Sequence, residues 1–423
     1  MKPVPWELLP DSSELGDAGE LVIGGCSVLD LADEYGTPLF IYDETHLRQR
    51  CRDAVELFGR HATYATKAFL CKAMAKLAND EGMTLDVATA GEFHIARAAG
   101  VPAADLVFHG NNKSVAELRM AIREGVGRIV VDSFDELNRL DSLHAQGHGP
   151  PKVLLRVTPG VEAHTHEFIA TGQDDSKFGF TVSTGVAAKA VERAGASEAV
   201  NLVGIHAHIG SQVFRVESFA QSLQVLAEFS EPFGLAELVV GGGLGVPYVA
   251  GEEAPTIRQW GQILKREAAQ AGITATLGIE PGRSIAAGAA ITAYTVGTIK
   301  RLDGIRNYVA VDGGMSDNPR PVLYGSGYET FLPRAVAAER PFHARIVGKH
   351  CESGDILVRE GLLPADTVVG DVLATPVTGA YGHSMGSNYN KVLRPPVVFC
   401  ENGDARMVVR RETLADLLTT DLT

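Results

Sequence analysis

Thr63-Tyr64-Ala65-Thr66-Lys67-Ala68 is a short β-type run that carries a lysine close to its end. Seven comparable runs follow it: Thr84–Ala88, Leu106–His109, Arg128–Asp132, Val153–Val157, Leu202–His208, Leu238–Val240 and Thr276–Ile279. They are apolar throughout rather than alternating, the pattern of strands buried on both faces. Segments with helical spacing lie between them: Phe69–Asn79, Gly91–Ala99, Val115–Glu124, Phe134–Ala145, Gly185–Ala194, Val216–Phe229 and Ile257–Ala271, with Thr45–Phe58 ahead of the first strand. Strands that alternate with helices predict parallel pairing. Eight such units over about 220 residues predict closure into an α/β fold of the (β/α)8 TIM-barrel type rather than an open sheet.

The barrel is expected over residues 43–287. Ahead of it, residues 1–36 read as irregular and Pro38–Tyr42 as a strand. Beyond residue 287 the texture changes. The runs Ile291–Val296, Tyr308–Val311, His343–Val347, Val368–Ala374 and Val397–Cys400 are separated by Gly, Pro and Asp, and helical periodicity returns only at Glu412–Leu418. Residues 288–423 therefore predict a mainly antiparallel β-sandwich or barrel domain.

Composition narrows the function classes. With 423 residues the chain is long enough for two domains and a large core. A net charge of -14 opposes binding to nucleic acid, which needs a basic face. The most apolar stretch, Ala286–Gly297, is short and broken by Gly and Thr, so no membrane span is expected. Met1–Pro10 lacks the charge and hydropathy pattern of a signal peptide. Five scattered cysteines with no C-x-x-C predict neither a disulfide framework nor a zinc knuckle, and the cytoplasm is the expected setting.

In a (β/α)8 barrel the active site is built at the C-terminal ends of the strands. Here those ends deliver Lys67, Asp86, His109, Asn111, Asp132, Arg156, His206, His208, Ser211, the glycines Gly241, Gly242 and Gly243, Glu280 and Arg283. Three glycines after the seventh strand let backbone N–H groups close on an anion, where barrels often bind phosphate. Lys67 suits a Schiff base, since partial desolvation helps it lose a proton. A carboxylate such as Glu280 beside a pyridine nitrogen keeps that nitrogen charged. A lysine, an anion cradle and a carboxylate are the parts of a pyridoxal 5'-phosphate (PLP) site. Each residue also has a plainer reading: a surface lysine, a glycine turn, a Glu280–Arg283 ion pair. His206 and His208 share a strand face and could pair on a metal, but no carboxylate or cysteine cluster completes a site, so no metal is expected. Stacking on a flat ring suits His208 better. His164 and His166 form another pair, in a Gly/Thr/Asp-rich loop, and read as solvated.

These motifs, together with Asp86-Val87-Ala88-Thr89-Ala90-Gly91-Glu92, Arg320-Pro321-Val322-Leu323-Tyr324, Cys351-Glu352-Ser353-Gly354-Asp355 and Gly379-Ala380-Tyr381, run in order along nearly the whole chain. The sequence resembles the fold-type III PLP-dependent decarboxylases, and most closely their diaminopimelate-decarboxylase branch. The resemblance implies decarboxylation of meso-2,6-diaminopimelate to L-lysine, the last step of lysine biosynthesis. It implies that Lys67 carries PLP, with Asp86 among the cofactor-binding residues. His208 would stack on the ring and Glu280 would pair with its nitrogen. Ser211, Gly241–Gly243, Gly282 and Tyr381 would hold the phosphate. Arg283, Arg320 and Tyr324 would bind substrate carboxylates. Cys351, as proton donor, and Glu352, at the distal amino group, would reach the partner's site in a homodimer. Residues 1–42 would join 288–423 in the β domain. Tyr328 stands where many members of the family have His.

Other acids decarboxylated on the same fold are ornithine, arginine, carboxynorspermidine and carrier-bound amino acids. Arg283 and Arg320 favour a substrate with a second carboxylate, which arginine pairs bidentately. An alanine-racemase-like enzyme would place arginine at the pyridine nitrogen, and Glu280 opposes that. A catalytically dead PLP carrier would resemble the barrel alone, whereas the β domain, Lys67 and Cys351 are all present here.

Overall fold

The structure, a computed structural model, describes residues 2–161 and 174–422. His164 and His166 lie outside the described residues. The chain divides into two compact units. One comprises Arg50–Gly245 and Ala254–Ser284; the other comprises Met1–Gln49, Val246–Glu253 and Ile285–Thr423.

The first unit is built on eight parallel strands paired in chain order: β1 (Thr63–Ala65), β2 (Thr84–Val87), β3 (Leu106–Phe108), β4 (Arg128–Val131), β5 (Lys152–Thr158), β6 (Asn201–His206), β7 (Glu237–Val239) and β8 (Thr276–Gly278). The sheet closes where the Thr63 N–H donates to Ile279 O and the Ile279 N–H donates to His61 O, both at 2.9 Å. Strands buried on both faces explain their apolar reading: every residue of β1, β2 and β3 is buried. Val107, Val130, Leu154 and Val239, from four different strands, pack in one buried cluster. Each of β1 to β7 is followed by a helix: Lys72–Asp80, Ala90–Ala98, Val115–Glu124, Phe134–Ala145, Val186–Gly195, Val216–Ser230 and Ile257–Gln270. Local chemistry sets their starts. Thr89 and Ser133 cap their helices, and Ser114 with Glu117 and Thr256 with Gln259 form capping boxes.

Three expectations change. The first strand ends at Ala65, and Thr66–Ala68 is a 3-10 turn. Side chains impose the bend: Thr66 Oγ1 donates to Asp86 O at 2.6 Å, and the Tyr64 hydroxyl donates to Phe69 O at 2.8 Å. Lys67 is thus exposed on a turn rather than held in the strand. The sixth strand stops at His206, which leaves His208 and Ser211 on the loop beyond. A short strand not read from sequence, Phe180–Thr181, adds in parallel to β5.

The second unit carries a sheet in the order Ile356–Leu363, Phe342–Val347, Arg306–Val311, Ala290–Leu302, Leu39–Asp43, Val397–Glu401, Asp404–Val409, with Val372–Pro376 also on Ala290–Leu302. Most pairings are antiparallel. Phe342–Val347 on Arg306–Val311 and Val397–Glu401 on Leu39–Asp43 are parallel. The first 36 residues are not irregular. Glu14–Leu15, Leu21–Ile23 and Cys26–Ser27 form a small antiparallel sheet, and Val28–Tyr35 is a helix capped by Ser27. Leu21, Ile23, Val28 and Leu31 pack with Ile41, Ile291 and Ala374 in one core. The expected tail helix is reduced to a turn at Asp416–Leu418, where the Asp416 carboxylate accepts from the Thr413 N–H and hydroxyl and from Arg410.

Arg340 ties the start of the chain to this unit. It is 3 % exposed and donates to the Glu329 carboxylate and to the carbonyls of Lys2, Pro3 and Thr330. Removing one partner of a buried charged network costs about 3 kcal/mol. Arg340→Ala should therefore lower the unfolding free energy measured by denaturant titration by that amount; a change below about 0.5 kcal/mol, the size of an ordinary surface substitution, would show that the network carries no stability.

Candidate active site

Strands β3 and β6 and the residues just after β8 converge on one buried carboxylate. Glu280 is 6 % exposed. His206 Nε2 hydrogen-bonds its Oε2 at 2.7 Å, and His109 Nε2 lies 3.0 Å from its Oε1. His109 also faces Asp86, on β2, at 3.9 Å. Burial opposes the charge on Glu280, but His109 and His206 outweigh it and hold the carboxyl well below its usual range. Burial likewise opposes a charged His109, and here Asp86 and Glu280 prevail and raise its pKa. Burial lowers His206 and raises Asp86. The result is an ionised carboxylate fixed at the barrel mouth by two imidazoles.

Beside it, His208 is pushed well below the usual imidazole range by burial and then by the charges of Lys67 and Arg156. Its Nδ1 accepts from the Gly242 N–H at 3.3 Å, which fixes the orientation of an uncharged, flat ring. The glycine loop approaches other backbone too closely for any side chain. A Cβ on Gly242 would lie 2.0 Å from Glu280 O; one on Gly243, whose φ is +107°, would lie 2.0 Å from Gly210 O. Arg283 donates to Ser211 Oγ at 2.9 Å, joining the loops after β6 and β8. On the far side, Arg156 lies 3.9 Å from Asp132 and stacks on Phe178 at 4.2 Å, while Asp132 accepts from the Gly179 N–H at 2.6 Å.

The barrel thus brings together Asp86, His109, His206, His208 and Glu280, with the cradle joined through Gly242, and the charge of Lys67 acts on both Asp86 and His208. His206 and His208 do not pair: His206 turns to Glu280 and His208 to the glycine loop. Among the described residues, His109, His206 and Glu280 have ligand-type atoms within 4.8 Å of one another, and they engage each other. The roles of His109 and His206 were not read from sequence. Their position at strand ends was the available signal.

In the second unit, Arg320 and Tyr324 lie on the short helix Arg320–Tyr324, Arg320 buried and Tyr324 half-buried. Cys351 and Glu352 are exposed on a turn. That turn is pinned by Asp355, which accepts from the N–H groups of Met315 (2.7 Å) and His350 (2.9 Å); the Cys351 N–H donates to Asn390 Oδ1 at 3.0 Å. Tyr381 adopts a positive φ of 60°.

A buried ionised carboxylate, a neutral oriented imidazole, a side-chain-free loop and a nearby lysine fit a phosphorylated pyridine cofactor. Comparison with known proteins agrees. Residues 44–287 match the family described as pyridoxal-dependent decarboxylase, pyridoxal binding domain. The chain is 45% identical to a diaminopimelate decarboxylase of Mycobacterium tuberculosis, covering 98% of this chain and 97% of that protein. It is 43% identical to one of Bacillus subtilis, covering 98% of each. The crystal structure of diaminopimelate decarboxylase from M. jannaschii in complex with L-lysine superposes with a TM-score of 0.90 at 31% identity, covering 98% of each chain. On the strength of this barrel, its site and these matches, the chain belongs to the fold-type III pyridoxal-dependent decarboxylases.

Proposed function

We propose that this enzyme converts meso-2,6-diaminopimelate to L-lysine and CO2 with PLP as its cofactor. The observation that carries the chemistry is the ionised Glu280 braced by His206 and His109 in the barrel mouth. The substrate rests on likeness over nearly the full chain to proteins named diaminopimelate decarboxylase, one of them bound to L-lysine.

PLP, when bound, supplies an electron sink that takes up the electron pair left by departing CO2. The chain's own residues prepare that role. Lys67 offers the amino group that anchors the cofactor, with Asp86 among the residues that hold it. Glu280 places a negative charge where the pyridine nitrogen would sit and so holds a proton there. His208 offers a neutral face for stacking, since a charged imidazole would oppose the positive ring. Ser211, Gly241–Gly243, Gly282 and Tyr381 hold the phosphate. Arg283, Arg320 and Tyr324 bind substrate carboxylates, which arginine pairs bidentately. Cys351 delivers the proton and Glu352 receives the distal amino group, both in the partner's site of a homodimer, the commonest closed symmetry. The exposure of these two residues supports their meeting another chain. Five scattered cysteines with no C-x-x-C support a reducing cytoplasmic setting. Among the described residues no helix is long and apolar enough to cross a membrane.

PLP-loaded protein given meso-diaminopimelate should release L-lysine, read by chromatography, and should release no diamine from ornithine or agmatine from arginine. Lys67→Ala and Cys351→Ala should each be inactive, and mixing them should restore up to about a quarter of the activity through hybrid dimers with one intact shared site, the fraction set by symmetry. Lysine production by Lys67→Ala alone would sink the assignment; no recovery despite subunit exchange would sink the shared site.

The raised pKa of His109 gives a signed pH dependence. A group whose folded pKa lies above its unfolded value contributes stability that is full below the unfolded value, here 6.5, and is lost as pH rises through the folded one. His109→Gln should therefore cost about 3 kcal/mol below pH 6.5 and less at alkaline pH, measured by denaturant unfolding. A penalty that grows with pH would mean that His109 is not held protonated.

A further inference from the structure

Arg320 is a buried cation with no acid beside it. It is 5 % exposed, and among the described residues no carboxylate pairs with it. Two tyrosines hold it instead. Its Nη1 donates to the Tyr328 hydroxyl at 2.7 Å. Its guanidinium carbon lies 4.1 Å from the ring centre of Tyr248 and 5.6 Å from that of Tyr328. The two rings meet edge to face at 5.3 Å and 79°. Gly325, at φ +62°, ends the short helix that begins at Arg320, and the chain turns there before Tyr328. On the other edge of the guanidinium, Nε is buried with no hydrogen-bond partner among the described residues.

Burying an unpaired charge is costly, and an arrangement that tolerates the cost without an acid keeps the full positive charge for an incoming anion. Aromatic faces hold a guanidinium flat through cation–π contact and leave its charge in place. With Nη1 taken by Tyr328, the Nε–Nη2 edge remains, a fork that matches a carboxylate.

We propose that Tyr248 and Tyr328 are positioning residues that lock the Arg320 guanidinium with its Nε–Nη2 edge presented to a substrate carboxylate, and so enforce the preference for a two-acid substrate. This rests on the reading of Arg320 as a carboxylate-binding residue. The clamp is neutral by necessity: an acid at position 328 would satisfy Arg320 internally and weaken its hold on substrate.

The test is steady-state kinetics of the PLP-loaded enzyme and its variants on meso-diaminopimelate, with competitive inhibition by pimelate, a seven-carbon diacid, and by heptanoate, its mono-acid counterpart. Tyr328→Phe and Tyr248→Leu should each raise KM roughly tenfold, the loss falling on KM rather than kcat. The pimelate-to-heptanoate preference should contract by a similar factor. Tyr328→His, whose ring nitrogen can accept from Nη1, should recover most of the loss. Cofactor absorbance and unfolding midpoints of each variant check that the fold is intact. KM and inhibitor preference unchanged in both tyrosine variants, while Arg320→Gln shifts them, would overturn the clamp and leave the role of Arg320 standing. No shift in Arg320→Gln would overturn both.

Discussion

The contact between the Glu280 carboxylate and its two imidazoles is the constraint to which the rest of the barrel site answers. A carboxylate taken out of water is stable in its ionised form only if partners replace the lost hydration. His206 arrives from the end of β6 at 2.7 Å and His109 from just beyond β3 at 3.0 Å. Closure of the barrel is what makes these ends neighbours. The same backbone carries the cradle: the Glu280 N–H donates to Gly241 O at 2.8 Å, and a Cβ on Gly242 would strike Glu280 O. The residue that would face the ring nitrogen and the loop that would face the phosphate are therefore fixed against each other by main chain, not by adjustable side chains.

The two units show opposite solutions to burying a charge. Glu280 is surrounded by partners that stabilise its ionised form. Arg320 is held by the neutral aromatic groups of Tyr248 and Tyr328, and in the proposed role its charge is kept for a substrate carboxylate. An acid beside Arg320 would make it a structural ion pair, much as Arg340 is with Glu329.

The barrel was legible because burial on both faces gives each strand an uninterrupted apolar run, and because segments with helical spacing recur between those runs. Its failures are local and physical. The turn at Thr66–Ala68 follows from hydrogen bonds to Asp86 O and Phe69 O, which a period-based reading does not contain. Asp404–Val409 was missed because an edge strand with half-exposed and exposed residues carries no apolar run. The small sheet and helix in residues 14–35 were missed because strands of two or three residues have no period to detect, and their core partners lie at Ile291 and Ala374. In the site, Lys67, His208, Glu280 and the glycines were legible as types at strand ends. The bracing of Glu280 was not, because residues 109, 206 and 280 meet only once strand order and register are known. The Tyr248–Arg320 contact was hidden for the same reason.

In the proposed role of Glu280, its brace would set the protonation state of a bound cofactor ring. The 15N chemical shift of the ring nitrogen, in enzyme loaded with PLP labelled at that atom, reads it without reference to turnover. With Glu280 ionised and held in place, the nitrogen should be protonated through neutral pH, and Glu280→Gln should shift it to the unprotonated value. An unprotonated nitrogen in the unaltered enzyme would contradict the role of Glu280 in keeping the ring protonated and, with it, the reading of the barrel mouth given by its buried charges.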